Sequence, residues 1–328
     1  MSLIAVVICT RNPKQDYFNN ALAALEKQTL SKQAWSLYIV DNGSDPPVAQ
    51  HLDKRYISLV SEIIIEDSPG LTNARLAAIK RTKEDLIIFV DDDNLLDPNY
   101  LEEALEISAN WSMLGTWGGQ ISGIFTEEPT ALGKQYYNWL AIRKLEQDIW
   151  SNVHFDLTAH PCGAGMCVRR IVAEQYLRVA TQDQRHLQLG RNGDRLWGSE
   201  DTDIAYTATS LGYGNGIFTK LHMRHIMPSN RFEEHYLLKL VEGMTCSYYI
   251  LNFIWGKPVP QSSRSEKLLK WYQSFFISNL DRRFEAARQR GLAEARRLTT
   301  QGEFASSHAY QEHRDINVDN KTLSFQGE

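Results

Sequence analysis

Cysteine is scarce: four residues, Cys9, Cys162, Cys167 and Cys246, are scattered over 328. That is too few for a disulfide framework, so they read as buried free thiols in a reducing compartment. Cys162 and Cys167 have no second closely spaced Cys or His pair, which argues against a structural zinc site. Also missing is an apolar run near the ~20 residues that a membrane-spanning helix needs, so the chain reads as soluble or peripheral. The opening MSLIAVVIC has no basic n-region and runs into TRN without a small-residue cleavage site, which predicts a first strand rather than a secretory signal. The expected location is cytoplasmic, free or at the cytoplasmic face of the membrane. Cationic surplus is absent as well. A net charge of -5 leaves nothing to neutralise a phosphate backbone, so no nucleic-acid partner is expected and the ligand should be small. With 43% hydrophobic and 23% charged residues, the chain can bury a sizeable core as one large domain or two smaller ones.

What is present is an alternation. LIAVVIC (3–9), SLYIVD (36–41), LVSEIII (59–65) and LIIFV (86–90) read as strands, separated by helical segments near 16–28, 47–56, 70–82 and 98–110. The strands are almost continuously apolar, as in a parallel sheet covered by helices on both faces. Ligands of such sheets bind outside the carboxyl ends of the strands, where Thr10, Asp41 and Asp91–Asp93 fall.

A dinucleotide-binding fold would share this rhythm, with Asp41 as its ribose-binding acid. The first turn, CTRNPKQDY, contains no glycine, however, and without a glycine loop the backbone cannot approach a pyrophosphate closely. The phosphates then need another neutraliser. IIFVDDDNLLDP (87–98) supplies it: three adjacent carboxylates at a strand end repel one another unless a cation joins them. Asp41 can still read a ribose or a base edge. A haloacid dehalogenase-type phosphatase also places D-x-D after a strand, but it wants Thr or Val where Leu95 stands, and usually at the first strand. Asp91 and Asp97 also have a local reading, as caps of the following turn and helix.

VVICTRN, YIVDNGSD, GLTNARLAAIKRT, IIFVDDDNLLDP and WGSEDTDIAYTATSLGYG, in that order over about residues 3 to 231, resemble the successive signatures of family 2 glycosyltransferases of GT-A fold. The resemblance implies a Rossmann-like α/β domain with a mixed, mainly parallel sheet flanked by helices. It also implies a nucleotide-diphospho-sugar donor, with UDP-sugars favoured, a divalent cation (Mn²⁺ or Mg²⁺) and inversion at the anomeric carbon. The acceptor would be a glycan or lipid-linked saccharide of polysaccharide biosynthesis. Carried over residue by residue, it makes Asp93 the direct metal ligand. Asp92 contacts the ribose or shares the metal, and Asp91 belongs with Asp93 to the metal set and orients the loop. Asp41 takes the base, Thr10 and Arg11 lie beside the nucleotide, and Asn73 and Arg75 face it from the third crossover.

The acceptor hydroxyl needs a general base. Glu200, Asp201 and Asp203 open a helix with Ser199 at its N-cap, and acids are favoured there whatever the function. The family's Glu-Asp pair assigns the base to Asp201, with Glu200 beside it to keep it effective. In KLHMRHIMPSNR, His222 and His225 are three apart and face opposite sides of a strand, so at most one meets the metal. The resemblance favours His225, and an ordinary structural hydrogen bond is the competing reading. Gly163 and Gly165 in HPCGAGMCVRR either let backbone approach the sugar or make a tight turn. A non-catalytic nucleotide-sugar-binding protein of the same fold is the alternative from another class, and intact Asp93 and Asp201 favour the enzyme.

The expected division is 1–231 for the transferase domain (nucleotide-binding half 1–112, acceptor half 113–231) and 232–328 for a C-terminal helical extension. Residues 264–297 are amphipathic and locally basic, with Trp271, Tyr272, Phe275 and Phe276. They are read either as helices packed on the core or as a peripheral contact with anionic membrane.

Overall fold

A computed structural model describes residues 3–261, 278–301 and 304. Its first half is the expected alternation: β1 (Ile4–Thr10), α1 (Gln15–Glu26), β2 (Trp35–Asp41), α2 (Val48–His51), β3 (Val60–Ile65), α3 (Leu71–Arg81) and β4 (Leu86–Val90). β1 shows why these strands read as unbroken apolar runs. Ile4, Val6 and Ile8 pack with Phe18 and Leu22 of α1, while Ala5 and Val7 pack on the other face with Ala74 and Ala78 of α3. Both faces are buried, so period-2 alternation has no polar phase. The helix expected over 47–56 is shorter: α2 ends at His51, and a 3-10 turn, Lys54–Tyr56, follows because the Asp53 carboxylate accepts from the Arg55 N–H.

The second half adds β5 (Asn94–Leu96), α4 (Tyr100–Asn110), β6 (Leu114–Phe125), α5 (Ala131–Gln135), β7 (Ile149–Ser151), β8 (Met166–Arg169), α6 (Arg170–Gln182), α7 (Glu200–Ser210) and β9 (Gly214–Met227). One mixed sheet results, in the order β3-β2-β1-β4-β8-β6-β9-β5, with β7 on β9. It is parallel through β3-β2-β1-β4 and between β6 and β9, and antiparallel where β8 joins β4 and β6.

Two helices complete the described fold, α8 (Glu234–Ile254) and α9 (Asn279–Gln301). They cross closely at Gly291, where a Cβ would stand 2.3 Å from the Glu242 carbonyl oxygen. α9 buries Phe284, Ala287, Leu292 and Ala295, so this part of the basic tail packs on the core. The four tail aromatics Trp271, Tyr272, Phe275 and Phe276 lie outside the described residues. No helix among the described residues is long and apolar enough to cross a membrane.

Candidate active site

Parallel register gathers the first site residues at one edge. Thr10 stands opposite Asp41, and Ile8 opposite Val90, so Asp91–Asp93 leave β4 beside the end of β1. A cavity of about 340 Å³ opens there, lined by Thr10, Arg11, Asn42, Gly70, Asp92 and Arg191 among others. The Thr10 hydroxyl donates to the Asp92 carboxylate. Asn42 ties the cavity wall together: its amide donates to the Glu66 and Ser68 carbonyls and its oxygen accepts from the Gly70 N–H. Gly70 has φ +124, which side chains rarely adopt, and opens α3.

Two residues expected at the nucleotide, Asp41 and Arg75, make structural contacts of their own. Asp41 is 2% exposed, and its oxygens accept from the backbone N–H groups of Ser44 and Val48, both at 2.8 Å, so it holds the turn after β2. Arg75 lies below the cavity rather than in its lining. It is 2% exposed, stacked over Phe89, with one guanidinium nitrogen 3.3 Å from Glu200. Gly163 makes room for it, since a Cβ there would stand 2.5 Å from that guanidinium. Asn73 donates to the Pro69 carbonyl at the mouth of α3.

The carboxylate triplet is unevenly compensated. Asp93 lies 3.3 Å from His225 Nε2 and 3.7 Å from Arg231, and accepts from the Asn94 amide. Burial pushes its carboxyl up, but the His225 hydrogen bond and the His225 and Arg231 charges outweigh it and hold it below the usual range. Asp91 is raised by burial and then by the charge of Asp93. Asp92 is pushed up to about 6 by burial, against the Thr10 hydrogen bond, with Asp93 and Asp91 adding to the rise. Among the described residues no three His, Cys, Asp or Glu converge to cage a metal by themselves. Asp93 with His225, whose Nε2 faces it at 3.3 Å, fits the other arrangement, in which one or two side chains share a Mg²⁺- or Mn²⁺-like ion with phosphate oxygens.

His222 faces away from that pair: its Nδ1–H donates to the Asp97 carboxylate at 2.7 Å, and its Nε2 lies 3.0 Å from the Ser122 hydroxyl. Asp97 therefore does not cap α4, whose N-cap is Asn99. The pairing of β5 with β9 brings Asp97 beside this histidine instead.

The start of α7 forms the second acidic station. Asp201 Oδ2 accepts from the Gly163 N–H at 2.9 Å and Oδ1 from the Thr202 N–H at 2.7 Å. Glu200 is pushed up to about 7 by burial, opposed by Arg75 and reinforced by Asp201, and its Oε2 has no partner. Ser199 occupies the N-cap position, but its hydroxyl donates to Ser247 of α8, so the capping bond expected of it is not made. Gly165, at φ +72, makes room for the Tyr100 hydroxyl, which donates to the Gly165 carbonyl.

Asp203 is fully buried and accepts from the Trp255 indole at 2.8 Å while facing His186 Nδ1 at 2.6 Å. Burial lowers the His186 pKa, but the charge and hydrogen bond of Asp203 more than reverse this and raise it. A raised histidine stabilises fully below its unfolded value of about 6.5 and loses that contribution as pH climbs through the folded value. His186→Leu strands a buried anion and should lower stability at pH 6 by about 3–5 kcal/mol. The deficit should narrow as pH rises. Urea midpoints of both proteins from pH 6 to 9 check this, and equal midpoints at pH 6 would refute it.

Arg191, Asn192 and Gly193 close the cavity from a loop that sequence reasoning passed over. The Arg191 carbonyl accepts from the Leu71 N–H, which docks that loop on α3. The available signal was GRNGDR, a cation inside a turn-rich stretch just ahead of the acidic motif.

Residues 5–175, just over half of the chain, match the family model described as Glycosyl transferase family 2. The match ends before α7. No curated protein sequence matches significantly. Among solved structures, S. aureus TarS is 14% identical with a TM-score of 0.48, over 77% of this chain and 40% of that one. TarS 1-349 in complex with UDP-GlcNAc is 14% identical with a TM-score of 0.48, over 77% and 67%. TarS 1-349 alone is 14% identical with a TM-score of 0.45, over 91% and 90%.

Proposed function

The chain belongs to glycosyl transferase family 2, and on that footing we propose that it moves a sugar from a nucleotide-diphospho-sugar to a glycan or lipid-linked saccharide in polysaccharide assembly, with inversion. UDP-sugars are the first donors to test. The observation that carries the reading is the pairing of two acidic stations of unlike character. Asp92 lines a cavity at the carboxyl end of β4, with Asp93 next to it in the chain and paired to His225, and Asp201 is held by backbone N–H groups at the start of α7.

In this reading Thr10, Arg11, Asn42 and Arg191 receive the nucleotide, and Asp41 keeps the turn beside its base in place. Asp93 with His225, flanked by Asp91 and Asp92, would hold Mn²⁺ or Mg²⁺. Once bound, such an ion supplies Lewis-acid stabilisation of the charge that develops on the leaving diphosphate. Arg231, beside Asp93, adds a fixed cation on the same side. The acceptor hydroxyl oxygen bonds to the anomeric carbon, the bond from that carbon to the phosphate oxygen breaks, and its electron pair leaves with the nucleoside diphosphate. The hydroxyl proton passes to Asp201. Gly163 and Thr202 fix the orientation of that carboxylate and leave each oxygen a further lone pair.

The proposed transferase domain is 1–231, with halves 1–112 and 113–231, and the proposed C-terminal extension is 232–328, whose described residues include α8 and α9. The boundary follows the end of β9 and precedes α8.

A donor that binds only the folded chain must raise its stability by mass action, by about 2.7 kcal/mol at a hundredfold excess over Kd. A thermal-shift panel of nucleotide sugars should therefore yield at least one that raises Tm in Mn²⁺ and does so less in EDTA. A flat response to the whole panel would count against the reading.

A further inference from the structure

A second cavity, about 530 Å³, lies between the start of α7 and the two C-terminal helices. That volume is within the ~300–1,000 Å³ typical of small-ligand sites. It shares no lining residue with the first cavity. One wall is Ser199 and Thr202, the residues on either side of the Glu200–Asp201 pair, and the segment from Arg191 to Thr202 runs from one cavity to the other. Trp139 enters from the turn before β7, and Tyr248 comes from α8. α9 contributes Glu285 and Arg288, which pair at 3.8 Å.

We propose that this cavity binds the saccharide portion of the acceptor, with the Trp139 and Tyr248 rings against the apolar faces of its sugar rings. The lining argues for that class in three ways. Aromatic rings beside hydrogen-bonding side chains suit a ligand that is apolar on its faces and hydroxylated at its edges. Glu285 and Arg288 cancel in charge, so the cavity holds no surplus cation for a phosphate. Thr202 lines the cavity and its N–H donates to Asp201 Oδ1, so the wall of this cavity is one residue along the chain from the proposed base, which itself lines neither cavity. Tyr248 is 36% exposed within the described fold, a large aromatic left at a rim. The inference rests on the transferase reading for the role of Asp201, while the occupant's class follows from the lining alone. It also gives the C-terminal helices a function: α8 and α9 form most of a substrate wall.

The test uses the full chain on an array of neutral and anionic oligosaccharides, with UDP and Mn²⁺ present, against Trp139→Ala, Tyr248→Ala and Tyr248→Phe. UDP binding is measured calorimetrically on each. The expected result is saccharide binding by the wild type that weakens at least tenfold in both alanine variants and recovers in Tyr248→Phe, with UDP affinity unchanged within twofold. Because Tyr248 is at the rim, its variants keep the test valid if Trp139→Ala unfolds. Saccharide binding that survives Tyr248→Ala, or an array on which the wild type binds no saccharide, overturns the proposal. If saccharide binding falls as expected but the wild type binds neither UDP nor GDP, the cavity assignment stands and the transferase reading fails.

Discussion

Asp201→Asn should lower sugar transfer by roughly 10²-fold or more while donor affinity stays within a few-fold. Asparagine keeps the shape and can still accept from the Gly163 N–H, so the loop from 160 to 165 need not move. What it loses is the basic oxygen that takes the acceptor proton. Initial rates at saturating donor and acceptor measure the first quantity, and calorimetric titration of the donor product measures the second. Transfer unchanged by this substitution would remove Asp201 from the role.

Glu200 is the internal control for that experiment. Burial raises it to about 7, so its charge varies across neutral pH, and its partner Arg75 is buried with it. The carboxylate faces the interior, one helical position before Asp201. Glu200→Gln in the same assay should therefore cost less transfer than Asp201→Asn, and its larger effect should be on stability, since Arg75 then keeps a buried charge without its counter-ion.

The parts of this site legible in the sequence are those fixed by local order. Thr10, Asp41 and Asp91–Asp93 each follow an apolar strand, and parallel pairing alone brings strand ends to one edge. Asp93 with His225 was reachable in two steps: strand alternation separates His225 from His222, and the family resemblance chose His225 of the two. The illegible parts depend on where side chains turn after packing. Asp41 is the expected residue type at the expected place, and what the sequence did not show is that each of its oxygens also accepts from an N–H group of the following turn. Arg75 shares α3 with cavity-lining Leu71 and Ala74 but turns inward, because Glu200 and the bare backbone at Gly163 meet it there. Ser199 looked like a cap and became a contact with Ser247, a bond that requires α8 to be in place. The Arg75 and Ser199 outcomes are long-range charge and hydrogen-bond balances, for which no short sequence pattern exists, whereas the Asp41 bonds are local to the turn that follows it.

Binding of UDP or GDP should depend on both a divalent ion and Asp93. In the wild type, Mn²⁺ is expected to tighten binding by roughly tenfold or more over EDTA, about 1.4 kcal/mol. In Asp93→Ala that gain should disappear. The crowding of three carboxylates is the reason. Burial and mutual repulsion raise Asp91 and Asp92 when no cation is present, so a diphosphate placed beside them without an ion would add anions to anions. Asp93→Ala has a second effect, since it frees His225 and Arg231 from their shared partner. Those groups can then attract a diphosphate directly, so the variant in EDTA is expected to bind no more weakly than the wild type in EDTA. The diagnostic quantity is thus the response to Mn²⁺, not the absolute affinity. Calorimetric titrations of both nucleotides into both proteins, each with Mn²⁺ or EDTA, supply it. Equal affinity in all four conditions would show that neither the ion nor Asp93 takes part, and would require the phosphates to be neutralised by Arg11, Arg191 and Arg231 alone.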